Sequence, residues 1–218
     1  MLKKALIAEF VGTFALVFAG TGAIVIDSLT GKIGNPGIAM SFGLAVGVMV
    51  YSVGHISGAH FNPAVTIGFY CSKNMKEEAF APYILAQIAG ATFASSLLYL
   101  MFGVTAGLGV TLPQGKWMTS FILEVIMTFF LMFVILTVAL DERVKPEVRG
   151  LAIGGTVALN AFFGGPISGA SMNPARSIAP ALITGIYQYQ WIYLTAPIAG
   201  SLIAVASYNY LKRCGPAN

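Results

Sequence analysis

The sequence predicts an all-α membrane protein of six transmembrane helices and two re-entrant half-helices, built as an inverted repeat. Three observations predict it. Of the 218 residues 57% are hydrophobic and only 9% charged, against about 25% charged in soluble domains. Six apolar runs are long enough for ~30 Å of hydrocarbon, and two shorter apolar segments open with the same tripeptide, Asn-Pro-Ala. A soluble globule is excluded. The net charge of +4 does not point to nucleic acid, because the 12 basic residues stand singly or in pairs at the ends of apolar runs and form no patch. Two cysteines, Cys71 and Cys214, are too few and too scattered for a disulfide framework or a zinc site. They read as incidental thiols, and no metal or other cofactor is expected.

In order along the chain, the expected crossings run from about Ala5 to Ile26, Gly37 to Val53, Ala79 to Phe102, Trp117 to Leu140, Val148 to Phe163 and Tyr189 to Leu211. The first follows Met1-Leu-Lys-Lys and shares that charged start with cleavable signals, but it is as long as a full span and carries Glu9 inside it. The second and fifth are short and rich in glycine, as suits helices buried among neighbours. With both termini placed in the cytoplasm, Lys3, Lys4, Lys73, Lys76, Arg143, Lys145, Arg149, Lys212 and Arg213 lie inside, whereas Lys32, Lys116 and Arg176 lie outside. That asymmetry sets the orientation. The segment Asp141–Arg149 reads as a solvated cytoplasmic connection.

The segments Asn62–Cys71 and Asn173–Thr184 are too short to span and too apolar for an ordinary loop. Each opens with a capping asparagine followed by proline at the first helical position, Asn62-Pro63-Ala64 and Asn173-Pro174-Ala175. Each follows a stretch expected not to be helical throughout, 54–61 and 165–172. The pair Ile56-Ser-Gly-Ala59 and Ile167-Ser-Gly-Ala170 recurs at the same offset of 111 as the two Asn-Pro-Ala tripeptides, and Glu9 with Thr13 recurs as Glu124 with Thr128. One Asn-Pro-Ala is expected by chance in on the order of one chain in thirty of this length; two in register are far rarer. The chain therefore reads as one channel domain over 1–218, a duplication with repeats of about 1–102 and 117–211. An odd number of crossings per repeat inverts the second copy, so the half-helices enter from opposite faces and meet amino end to amino end near the midplane.

Non-helical backbone at membrane depth leaves polar groups without partners, and it is tolerated only where it is buried in protein or lines water. The sequence thus predicts a water-filled path with the side-chain amides of Asn62 and Asn173 at its centre. Two helix amino ends, each equivalent to about half a positive charge, would repel cations there. A water accepting from both amides could not relay a proton, which is how half-helix dipoles act in aquaporin-type pores.

Through Gly54-His-Ile-Ser-Gly-Ala-His-Phe-Asn-Pro-Ala-Val-Thr66 and Gly169-Ala-Ser-Met-Asn-Pro-Ala-Arg-Ser177, the chain resembles the major intrinsic protein (aquaporin) family over essentially its full length. The stretch Asn160–Asn173 is most similar to plant nodulin-like intrinsic proteins and their bacterial relatives. The resemblance implies the aquaporin-like fold, a pore in every subunit and a homotetramer in the cell membrane. It also implies a selective constriction at Phe42, Ala161, Ala170 and Arg176. An arginine at membrane depth is by default functional, at a penalty of at least ~2.5 kcal/mol, and its planar donors suit a water or hydroxyl oxygen; the plainer reading is a snorkelling side chain. Water-selective relatives carry histidine where Ala161 stands, and typical glycerol facilitators carry aspartate where Ser177 stands. The expected function is a passive channel for water and small uncharged solutes, glycerol or metalloid hydroxides, that excludes protons and ions; the alternatives are a strictly water-selective pore and a secondary transporter of a neutral solute.

Glu9 and Glu124 are carboxylates within spans. A proton-coupled transporter would need such groups, but their matched positions favour structural support of the re-entrant stretches through hydrogen bonds, and the resemblance implies the same. His55 and His60 flank the first stretch and suit either pH sensing or simple hydrogen bonding. An intramembrane serine protease finds no candidate, because both histidines cluster at 55–60 and no Gly-x-Ser-Gly is present. Catalytic residues are therefore not assigned, and the partners expected are membrane lipid, water and small neutral solutes. Ala170 stands where mercury-sensitive relatives have cysteine, so mercurial block is expected to be weak. Strong inhibition in stopped-flow assays that survives replacement of Cys71 and Cys214 would contradict this.

Overall fold

The computed structural model describes residues 2–141 and 143–214, with side chains described as far as residue 212. Eight α-helices follow one another: α1 Leu2–Thr30, α2 Gly34–Ser57, α3 Pro63–Cys71, α4 Glu77–Phe102, α5 Trp117–Leu140, α6 Pro146–Ser168, α7 Pro174–Thr184 and α8 Gln190–Cys214. Six of these are long and apolar enough to cross a membrane; α3 and α7, with 9 and 11 residues, are not. The order long, long, short, long occurs twice, as a duplicated chain requires. The two halves interlock, because α3 packs against α8 and α7 against α4. The hydroxyl of Ser201 on α8 donates to the carbonyl of Ala64 on α3 at 2.7 Å, fastening one half-helix to the other repeat.

Two expectations need correction. The second and fifth crossings are full-length helices of 24 and 23 residues. As expected, the stretches 54–61 and 165–172 are not helical throughout: helix runs as far as Ser57 and Ser168, and irregular backbone occupies 58–62 and 169–173. Left-handed Gly58 (φ 85°) and Gly169 (φ 84°) stop the two helices, a conformation that favours glycine because it has no Cβ. Finally, the connection expected over 141–149 is shorter, because Pro146 opens α6 from the position where a missing N–H has no consequence. Glu142 and the side chain of Cys214 lie outside the described residues. In what remains of the loop, Arg143 donates to Asp141 at 2.7 Å. That hydrogen bond holds the partly exposed Asp141 carboxyl down at about 2, so the pair stays ionised at any neutral or mildly acidic pH.

Helices α2 and α6 pack closely along their lengths. Gly43 and Gly47 lie against Gly154 and Gly150, and a Cβ at Gly43 would stand 2.5 Å from the carbonyl oxygen of Gly154. Lipid tails are as apolar as leucine, so helices in a membrane gain from close backbone approach rather than from apolar burial. This approach matters for the site, because α2 carries Phe42 and α6 carries Ala161. Gly43→Val is therefore expected to force the helices apart at ~1–3 kcal/mol, read as a lowered unfolding temperature in detergent.

Candidate functional site

Each irregular stretch is wrapped around a buried carboxylate. Glu9 Oε1 accepts from the Ser57 hydroxyl at 2.7 Å and the His60 N–H at 3.0 Å, and Oε2 accepts from the Phe61 N–H and the Gln87 amide at 2.7 Å each. Glu124 repeats the arrangement, with Oε1 accepting from the Ser168 hydroxyl and the Ser171 N–H, and Oε2 from the Met172 N–H at 2.7 Å. Both carboxylates are fully buried. The carbonyls that end α2 and α6 are also partnered, Ser57 O by the Tyr83 hydroxyl at 2.9 Å and Ser168 O by the Tyr193 hydroxyl at 2.8 Å. These contacts hold Ala59, Phe61, Ala170 and Met172 at positive φ (53°, 50°, 42° and 52°), a left-handed conformation unfavourable for residues with a Cβ.

At the tips of α3 and α7 the two asparagines cross-link the repeats. Asn62 Oδ1 accepts from the Ala64 N–H at 2.8 Å, capping α3, while its Nδ2 donates to Met172 O at 2.7 Å. Asn173 Oδ1 accepts from the Ala175 N–H at 3.0 Å, capping α7, while its Nδ2 donates to Phe61 O at 2.9 Å. An amide nitrogen has two hydrogens, so each keeps one N–H for a further acceptor. The two helix amino ends face each other, as inverted half-helices should. Pro63, Ala64, Pro174 and Ala175 are buried at the starts of these helices and add no polar group.

Asn62 and Asn173 line one narrow cavity of about 40 Å³ together with Phe42, Ala161, Ala170 and Arg176, the four residues expected at a constriction. At ~10–15 Å³ for each water, that is room for a short file. Leu16, Val46, Val65, Leu131 and Ile135 supply apolar lining. The Arg176 guanidinium lies 5.0 Å from the centre of the Phe42 ring. Its Nη1 donates to Gly109 O at 2.6 Å. Ser177, at the aspartate position of glycerol facilitators, joins a hydroxyl chain in which Thr111 donates to it at 2.8 Å and Ser171 lies at 2.5 Å.

His60 lines both this cavity and a wider vestibule of about 620 Å³ beside the carboxyl end of α2 and the amino end of α6. Its ring stacks on Phe69 at 4.5 Å. The Thr66 hydroxyl accepts from Gln87 Nε2 at 2.9 Å and meets His60 Nδ1 at 3.1 Å. The donor in that last contact depends on the imidazole tautomer. His55 lines the vestibule only, and Cys71 is exposed and lines neither space.

Sequence reasoning missed Gly109, Thr111, Gln87, Thr66, Tyr83 and Tyr193. Gly109 and Thr111 lie in the connection between α4 and α5, where Ala106, Gly107 and Leu108 form a left-handed turn (φ 49°, 56° and 53°), and nothing in the local sequence signals which carbonyl will reach Arg176. Tyr83 and Tyr193 recur at nearly the repeat offset, a signal that could have found them.

The profile of the major intrinsic protein family matches residues 1–208. The chain belongs to that family. Aquaporin NIP1-1 of Zea mays is 50% identical over 95% of this chain and 74% of the relative. Nodulin-26 of Glycine max is 47% identical over 95% of this chain and 77% of its own. Among solved structures, the aquaglyceroporin from Plasmodium falciparum superimposes with a TM-score of 0.84 at 27% identity, covering 97% of each chain. The irregular stretches depend on these buried carboxylates for their N–H partners. Glu124→Leu orphans the N–H groups of Ser171 and Met172 at ~1–3 kcal/mol each, so it is expected to lower the unfolding temperature in detergent sharply. Glu124→Gln, which retains one acceptor oxygen, is expected to lower it less.

Proposed function

We propose that this protein is a passive channel through which water and small uncharged solutes, glycerol and metalloid hydroxides among them, cross a cell membrane while protons and ions are held back. The observation that carries the reading is the reciprocal bonding of Asn62 and Asn173, each to the carbonyl preceding the other, in the wall of a cavity sized for single molecules. The amide N–H left on each asparagine faces a molecule in the file. A water there donates outward in both directions and cannot pass a proton along. The amino ends of α3 and α7 add positive potential, and Arg176 adds a full charge at the constriction.

Selectivity at the constriction follows from its four residues. Phe42 bounds it with a ring and Arg176 with a guanidinium that offers donors to a hydroxyl oxygen, while Ala161 and Ala170 contribute only methyl groups. That leaves more room than a histidine at 161 would. The names of the relatives, aquaporins of the nodulin-like group and an aquaglyceroporin, support the same solute class. In this reading the termini and the vestibule beside His55 face the cytoplasm, as the distribution of lysine and arginine favours. Four copies assemble, each with its own pore. No catalytic residue is assigned.

Stopped-flow light scattering on proteoliposomes tests the proposal. Rapid shrinkage in sucrose and re-swelling in glycerol, both linear in the gradient, are expected. Ala161→His is expected to slow glycerol about tenfold while leaving water within roughly threefold. Shrinkage without re-swelling would restrict the channel to water, and a glycerol flux that saturates would make it a transporter.

A further inference from the structure

Pro166 lies inside α6, two residues before its end. A proline has no N–H, so the carbonyl four residues earlier loses its helical donor, and such a residue ordinarily kinks or ends a helix. Here the carbonyl is Phe162 O, and it has a partner from another helix: Asn35 Nδ2, in the first turn of α2, donates to it at 2.7 Å. A Cβ at Gly165 would stand 3.0 Å from Asn35 Oδ1, so the whole amide is seated against the last turn of α6. At the other end of the same helix pair the roles reverse. The Tyr51 hydroxyl on α2 donates to Glu147 O at 2.7 Å and accepts from the Leu151 N–H at 3.0 Å, entering the first turn of α6.

We propose that Asn35 is a positioning residue for the constriction: its amide replaces the N–H that Pro166 lacks and so sets the spacing between Phe42 and the alanines at 161 and 170. Asn35 and Phe42 are seven residues apart on α2, two turns along one face. The last turn of α6, which Asn35 holds, lies between Ala161 on one side and Ala170 on the other. One hydrogen bond thus ties the helix face that bears the ring to the segment that bears both methyl groups. Without it the last turn frays at Pro166, and the constriction relaxes toward larger solutes.

The permeability arm of the test rests on the channel reading above; a hydrogen-exchange arm does not. Four variants are compared with the wild type: N35A, N35D, which keeps the shape of the side chain but offers no donor to a carbonyl, P166A, which returns an N–H to the helix, and P166A combined with N35A. In N35A and N35D, amide exchange over 163–169 is expected to quicken about fivefold and the ratio of glycerol to water permeability to rise by a similar factor. P166A alone, and P166A combined with N35A, are expected to stay within about twofold of the wild type in both readouts. A loss of folded channel alone would lower both fluxes together and leave their ratio unchanged. An unchanged or lowered ratio and exchange rate in N35A, or a double variant as altered as N35A, would overturn the proposal. Should N35A and N35D fail to assemble, assembly of the double variant supports it and failure of the double variant overturns it. If the wild type passes no glycerol, the channel reading for that solute fails while the exchange arm still decides the role of Asn35.

Discussion

The constraint on which the rest of the structure depends is that two five-residue stretches of non-helical backbone sit among apolar helices with their polar groups in need of partners. Each is met by a carboxylate from the neighbouring long helix, Glu9 or Glu124, that collects the N–H groups pointing inward. With the N–H groups bound on one side, the carbonyls of Ala59, His60, Ala170 and Ser171 accept no hydrogen bond from protein among the described residues. That division of donors and acceptors creates the polar line of the cavity.

The central asparagines carry three duties with one side chain. The oxygen caps its own half-helix, one amide hydrogen ties the opposite repeat, and the other hydrogen is left for the lumen. Replacing either would loosen the helix start, the join between repeats and the donor at the centre together. This is a physical reason for both copies to keep the same residue despite lying in halves that otherwise share few identities.

The repeats are alike where they build the centre and unlike where they build the mouths. Glu9 gains a donor from Gln87, which also donates to the Thr66 hydroxyl that meets His60 Nδ1; Pro197 stands near the corresponding place in α8 and offers nothing of the kind. On the side of the second repeat, Arg176 and Ser177 instead draw in the connection between α4 and α5 through Gly109 and Thr111. The α2–α6 pair is stitched at both ends, but with an asparagine at one and a tyrosine at the other. An inverted duplication therefore yields one symmetric barrier and two chemically different entrances.

The sequence by itself determined the number of crossings, the two half-helices, the inverted repeat and the paired central asparagines, because hydropathy, cap chemistry and repetition are local or periodic and are written in the order of residues; the positions of Phe42, Ala161, Ala170 and Arg176 followed only from the resemblance to a family. The ends of α2 and α6 were misjudged, because a glycine-rich run and a proline look like helix breakers when the donors that rescue them come from elsewhere. Only the tertiary structure decided that Asn35 reaches Phe162 across 127 positions, that Gly109 reaches Arg176, and that tyrosines finish the last turns of α2 and α6. Those contacts depend on which helices lie side by side, and the pairing of distant helices is set by close packing in three dimensions, which no local pattern encodes.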